Sequence, residues 1–182
     1  MPAKTIISFS LDKASIDNAI WQLQTFRDDF MRKVDRLRDL IAEKISEKAD
    51  NGFKNAIVSD VIFGEEQEND VTVEWNSSEN NVSVVLVKGS KALFIEFGAG
   101  VKHNMHVLGS SLHPWVLDGT FPNYKIGMYG KGHGRYEAWG FYRDGTRDTL
   151  TVTRGTPAAM PLYKAVWSII DEMDKLVQEV FG

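Results

Sequence analysis

The sequence predicts an α+β domain in which a long N-terminal helix and a C-terminal helix pack on a small antiparallel β-sheet, with a long Gly-rich loop inserted between them. Three observations lead there. A heptad-like apolar stripe runs from residue 15 to 50, a second from 161 to 181, and short β-prone runs with turn-rich separators lie between them. A chain of 182 residues suits one domain, residues 1 to 182, with the loop insertion at about 101 to 137.

The run KTIISFS (4 to 10) is short and β-prone, and Ser15 then stands where a helix N-cap belongs. Beyond it Ile16, Ile20, Leu23, Phe30, Val34, Leu37 and Ile41 fall on alternating spacings of four and three, interrupted by Arg27. The other positions are largely charged, and Asn51-Gly52 is a plausible C-cap. Such a helix is roughly 54 Å long at 1.5 Å per residue. One small body does not cover that length, so part of the stripe is expected to meet another subunit. Residues 53 to 70 give no clear element before the acidic stretch EEQEND.

VTVEW (71 to 75) and VSVVLVK (82 to 88) read as two strands joined by NSSENN, with Val71, Val73 and Trp75 on one buried face. KALFIEFGAG follows, and its periodicity fits a strand or a short helix equally. Residues 101 to 137 are rich in Gly, His and Pro, as a functional loop is. EAWGFYRDGTRDTLTVT (137 to 153) reads as a hairpin turning at Asp144-Gly145, with Trp139, Phe141, Leu150 and Val152 as inward candidates. Pro161 suits the first turn of a final helix, in which Leu162, Val166, Ile169, Met173, Leu176 and Val180 repeat the four-three spacing.

A net charge of -4 gives no global attraction to nucleic acid or anionic membrane. The absence of cysteine excludes disulfides, thiolate nucleophiles and cysteine-type metal sites. With no signal-peptide core and no apolar run of about 18 residues, the chain is expected to be made in a cytosol and not to engage a membrane.

Glu96 sits among the large apolar side chains of ALFIEFGAG. A buried carboxylate requires a charged partner, backbone donors or an exposed edge. Its candidate partners are the amides of the Gly98-Ala99-Gly100 turn, or an arginine such as Arg135 or Arg154; a general-acid role is the chemical alternative. His103, His106 and His113 lie close together and His133 further on, but their spacing matches no metal family, and no metal or cofactor is expected. GMYGKGHGRYEAWG lacks the spacing of a phosphate-binding loop. No serine elbow or helically fixed carboxylate pair occurs, and no catalytic residue is assigned. Residues 121 to 154 carry six basic side chains, Lys125, Lys131, Arg135, Arg143, Arg147 and Arg154, against Glu137, Asp144 and Asp148. Together with Tyr124, Tyr129, Tyr136 and Trp139 they suit an acidic protein surface better than a nucleic acid, whose footprint is more strongly basic.

ALFIEFGAG, KIGMYGKGHGRYEAWGFYRDGT and TRGTPAAMPLYKAVWSII, in that order, resemble the gene-product-ten-like family of long-tailed bacteriophages and prophages, small head-tail joining or tail-completion proteins of the neck. The family pattern of a long helix, a hairpin, an Ala-aromatic-x-Glu-Phe-Gly-Thr motif and a G-x-PA-x-P lead-in to the last helix matches residues 15 to 50, 71 to 88, 92 to 99 and 155 to 181. Ala99 departs from it, standing where threonine is frequent. The resemblance implies a structural virion component rather than an enzyme, one that assembles as a ring between head connector and tail tube with other neck and tail proteins as partners. It singles out Glu96, Phe97, Gly98, Gly100, Gly155, Pro157 and Pro161 as motif residues. The interaction candidates are Lys125, Tyr129, Lys131, Arg135, Tyr136 and Trp139. The competing expectation is a metal- or carboxylate-dependent hydrolase built from His103, His106, His113 and Glu96.

Overall fold

The computed structural model describes residues 7, 10 to 78, 81 to 100, 102, 103, 114, 136 to 142 and 147 to 182. The element order is that of an α+β fold: helix α1 (Lys13–Lys54), strands β1 (Val61–Phe63), β2 (Thr72–Ser78) and β3 (Val82–Lys88), helix α2 (Ala92–Phe97), strands β4 (Trp139–Tyr142) and β5 (Leu150–Thr153), and helices α3 (Pro161–Asp171) and α4 (Met173–Phe181). Nearly all of the 4 to 10 run and the 101 to 137 insertion lies outside the described residues.

Helix α1 begins one turn earlier than its stripe suggests. Asp12 is the N-cap, its carboxylate accepting from Ser15 N at 2.9 Å, so the serine is a recipient of the cap and not the cap itself. The helix also runs through Asn51-Gly52 to Lys54 and is capped at Asn55. Gly52 serves close approach there: a Cβ on it would lie 2.7 Å from the Pro161 Cβ. One further turn places Phe53 in the core at 1 % exposure.

Two apolar clusters hold the elements together. Leu40, Ile169 and Leu176 join α1 to α3 and α4, with Leu37, Ile41, Ile45 and Val180 packed around them. Phe53, Val71 and Ile95 join the end of α1 to the residue that leads into β2 and to α2, bordered by Val73, Val87, Ala159 and Leu162. Burying a side chain such as Phe53 or Ile169 stabilises the fold by about 1.5 to 3 kcal/mol. Within the chain α1 is antiparallel to α3 and α4: Gly52 lies beside Pro161, Lys48 Nζ reaches Ser168 Oγ at 2.7 Å and Glu172 Oε1 at 2.8 Å, and Phe30 meets Phe181 with ring centroids 5.7 Å apart.

Strands β2 and β3 pair antiparallel from Thr72 opposite Lys88 to Ser78 opposite Val82, so β2 extends into what reads as turn sequence. Ser77 belongs to the strand because Arg38 Nη2 on α1 donates to its hydroxyl at 3.1 Å. Arg38 Nε also donates to Ser83 Oγ at 3.0 Å, and that hydroxyl donates to Asp39 Oδ1 at 2.8 Å. The period-two alternation thus turns Val73, Trp75 and Val87 toward α1 and leaves Val82, Val84 and Leu86 exposed on the opposite face.

Strands β1, β5 and β4 form a second antiparallel sheet in that order, with β5 central. The expected hairpin is present, its turn lying outside the described residues. Its inward set needs correction. Trp139 pairs with Thr153 and Tyr142 with Leu150, which puts Trp139 and Phe141 on one face and Leu150 and Val152 on the other. The buried residues of β5 are Thr151 and Thr153, whereas Trp139 and Leu150 are each 40 % exposed. Threonine faces inward because its hydroxyl has work there: Thr153 Oγ1 donates to Asp60 O at 3.1 Å and accepts from Gly155 N at 3.0 Å.

The single C-terminal helix expected from spacing is two helices meeting at Glu172. Glu172 N–H is shared between the carbonyls of Ser168 and Ile169 at 3.2 and 3.1 Å, a local tightening of the last turn of α3.

Replacing Gly52 with alanine gains about 1 kcal/mol of helix propensity, while the rigid Pro161 ring has no room for the methyl group, an overpacking cost of about 1 to 3 kcal/mol. Gly52→Ala is therefore expected to lower the urea midpoint rather than raise it.

Candidate functional site

Described residues around Glu96, Trp139 and Pro161 contribute to one place. Helix α2 buries Ile95, Glu96 and Phe97. Immediately after it the chain pairs with the segment that leads into α3: Ala99 N–H donates to Thr156 O at 2.9 Å, Thr156 N–H returns to Ala99 O at 3.0 Å, and Ala159 N–H donates to Ile95 O at 2.9 Å. Gly155 permits this approach, since at its φ of +110° a Cβ would collide with the Ala99 carbonyl. Gly98, at φ +81°, ends α2 by donating to Phe94 O at 2.8 Å, and Ala158 packs against it. Gly100 lies under the Trp139 indole. Pro157 lies between Thr156 and Ala158.

Glu96 is where this docking acts on α3. A helix start leaves backbone amides without intrahelical acceptors. Pro161 occupies the first helical position and has no N–H to satisfy. Met160, the N-cap residue in left-handed conformation, supplies no side-chain acceptor. The acceptor comes from α2: Leu162 N–H donates to Glu96 Oε2 at 2.9 Å and Tyr163 N–H to Glu96 Oε1 at 3.0 Å. Both carboxylate oxygens thus face the positive end of the α3 dipole, at 4 % exposure. Of the candidate donors in the Gly98-Ala99-Gly100 turn, the amides of Gly98 and Ala99 are donated to Phe94 and Thr156, while the carboxylate receives those of α3. Arg154, one of the two arginines considered as its partner, pairs instead with Asp60 at 3.8 Å. Arg135 lies outside the described residues.

Asp60 is a second polar centre that the sequence did not advertise. Lys102 Nζ lies 3.1 Å and His103 Nε2 3.0 Å from its Oδ2. Its main chain accepts from Arg154 N at 2.9 Å and donates to Gly155 O at 2.6 Å. Hydrogen bonds from Lys102 and then His103 hold the Asp60 carboxyl below its ordinary value of 3.8, outweighing the burial that opposes them. Sequence spacing carries no signal for this cluster, because its members are some forty and ninety residues apart.

Of the four histidines, His103 is engaged by Asp60, and His106, His113 and His133 lie outside the described residues. No group of three or more potential metal ligands occurs among the described residues. Of the interaction candidates, Tyr136 is 78 % exposed and Trp139 40 %, whereas Lys125, Tyr129, Lys131 and Arg135 lie outside the described residues. No described helix is long and apolar enough to cross a membrane.

Among the described residues, a run of exposed apolar side chains lies elsewhere, on the N-terminal half of α1. Ile16, Ile20, Leu23, Phe26, Phe30 and Met31 are 36 to 56 % exposed. The chain's own α4 ends beside Phe30, so the seventeen α1 residues before it extend about 26 Å beyond that cover.

Two outcomes follow from the polar geometry. Glu96→Gln keeps one carbonyl acceptor but sets an amide NH2 against a backbone N–H. It is expected to cost about 1 to 3 kcal/mol by urea unfolding, with faster hydrogen exchange at Leu162 and Tyr163; unchanged exchange would show that the cap is not needed. For Asp60 the lowered folded pKa means that its contribution to stability is complete above pH 3.8 and lost as pH falls below that value through the folded one. The stability gap between wild type and Asp60→Asn is therefore expected to be widest near neutrality and to close as acid is added below about pH 4.

No family model, curated protein or solved structure matches this chain.

Proposed function

We propose that this chain is a structural component of a phage or prophage virion, a head-tail connector or tail-completion protein that acts by assembling with copies of itself and with other neck and tail proteins. The observation that carries the reading is the run of half-exposed apolar side chains on the N-terminal half of α1. Monomeric proteins seldom leave a contiguous apolar patch above about 300 to 600 Å2 open to water. Side chains such as Phe26 and Phe30, each about half exposed, leave on the order of 100 Å2 apiece, so the six named on α1 reach or exceed that range. A surface of this kind is at rest only inside a larger assembly.

The docked motifs support the same reading. Glu96, Gly98, Gly155 and Pro161 spend their chemistry on fixing α3 against α2, which is a framework role and not a reactive one. A rigid frame holding an exposed helix at a set angle is what a subunit of a repeating structure requires. In this reading the protein is made in the bacterial cytoplasm and works in the virion, without cofactor or metal.

The gene neighbourhood and particle composition test it together. Portal, adaptor and tail-tube genes are expected alongside this one, and mass spectrometry of the purified virions should find this chain at low, fixed copy number. Virions that lack it, together with stoichiometric zinc and hydrolytic activity in the purified protein, would overturn the proposal in favour of the hydrolase.

A further inference from the structure

Strand β3 is apolar on both faces. Its outer row, Val82, Val84 and Leu86, is 42 to 50 % exposed, and its inner row, Ser83, Val85 and Val87, is only half-buried although α1 lies over it. A strand of this composition belongs between two neighbours in a sheet. Here β2 pairs with one edge, and no described strand pairs with the other. Proline, charge and bulge are common protections of an open edge. None occurs from Val82 to Val87, and Lys88, which ends the strand, is bound back to Glu74 at 2.6 Å.

The chain's own α3 is turned away from that edge. Asp39 on α1 accepts from Ser83 Oγ of β3 at 2.8 Å, and Lys48 on α1 donates to Ser168 of α3 at 2.7 Å. Nine residues at about 100° each set these two side chains on opposite sides of the rod, so α3 lies across α1 from β3.

The segment that fits beside β3 is the run KTIISFS, residues 4 to 10, which lies outside the described residues except at Ile7 and Ser10. Its sequence is β-prone, and it is seven residues long, as β3 is. Thr5, Ile7 and Phe9 alternate with Lys4, Ile6 and Ser8, the pattern of a strand with two unlike faces. Laid along β3 end to end, in either direction, the run sets Ile7 beside Val85. Its odd residues then extend the inner row under α1, and Ile6 joins Val84 and Leu86 on the outer face.

A chain cannot place this run on its own β3. Helix α1 follows the hairpin lengthwise, with Arg38 and Asp39 at Ser77 and Ser83 near the tip and Phe53 with Val71 and Val87 at the base. The tip is therefore the end of β3 nearer the start of α1. From Lys13 to Asp39 the helix spans about 39 Å at 1.5 Å per residue. The nine steps from Lys13 back to Lys4 cover at most about 32 Å when fully extended. Even folded straight back along the rod, the run stops short of β3.

We propose that the run KTIISFS of one copy adds to the open edge of β3 of a second copy as a third strand. The N-terminal half of α1 is then the arm that carries it there. Donor and acceptor are different surfaces of the chain, so the contact is head to tail, and each copy gives one strand and takes one. Main-chain hydrogen bonds along the edge supply affinity, and the alternate side chains fix the register. This contact serves the self-assembly proposed above but stands on β3 and the run alone. Particle composition tests the neck reading separately, and either can fail without the other.

The chain contains no cysteine, so an engineered pair reports only its own contact. Chains carrying Ile6→Cys are mixed with chains carrying Val84→Cys or Leu86→Cys and oxidised, since neighbouring strands bring such residues within disulfide reach. Ile170→Cys on α3, equally exposed at 48 %, is the control for random collision. One of the two test mixtures is expected to give the mixed disulfide in at least about tenfold excess over the control, as a contact populated at micromolar concentration does. Ile7→Pro is expected to weaken association in sedimentation equilibrium at least about tenfold while leaving the helical circular dichroism unchanged. Equal cross-linking in test and control mixtures overturns the proposal, and so does association that Ile7→Pro leaves at wild-type strength. A wild-type chain that stays monomeric at about 100 μM, where a micromolar contact is saturated, overturns it as well.

Discussion

Glu96 holds the backbone amides of Leu162 and Tyr163, and the placement of α3 depends on that contact. Helix starts are ordinarily capped by the residue just before them, so the cap travels with its helix. Here Met160 provides none, and the acceptor arrives from an element more than sixty residues earlier. A local requirement has become a tertiary one: α3 satisfies its first amides only when α2 is docked beside it. Docking in turn requires Gly155 to admit Ala99 and Gly98 to admit Ala158. The free energy of a carboxylate at a helix N-terminus is modest. Its structural effect is larger, because α3 carries the inner stripe that packs α1.

Helix α1 consequently divides into two regimes. From Leu37 onward its apolar side chains have partners in α3, α4 and the β2–β3 hairpin, and the Arg38, Asp39, Ser77 and Ser83 network sets the hairpin's position with directional bonds. Before Phe30 the same helix keeps the same periodicity, and Ile16, Ile20 and Leu23 on it stay 36 to 56 % exposed. Continuity of one stripe across both regimes separates this surface from scattered exposed apolar residues, which are common on any protein.

Where polar groups are concentrated among the described residues, they position the backbone. Asp60 gathers Lys102, His103 and Arg154 at the point where β1 begins and the Gly155 segment passes. Its carboxylate is stabilised by hydrogen bonds from Lys102 and His103, and its main chain ties into the Ala99–Thr156 crossing through Gly155. The Asp60 and Glu96 centres therefore brace the same crossing from two sides, one through charge and one through a helix end.

Periodicity determined what was legible in the amino-acid order. The helical stripes, the alternation of β2 and β3 and the turn residues between them follow from side chains repeating along one element, which needs no knowledge of neighbours. The α+β class and the surplus apolar length of α1 were readable for that reason. Tertiary structure alone decided the rest. The same Gly52 that reads as a helix stop is a contact point for Pro161, and the apolar residues of β4 and β5 divide between faces while threonines turn inward toward hydrogen-bond partners. Asp60 finds three basic side chains that no spacing connects to it. Glu96 shows the distinction best: its cost of burial was plain from its neighbours in sequence, but a carboxylate accepts from any correctly placed donor, and only folding brings the amides of α3 to it.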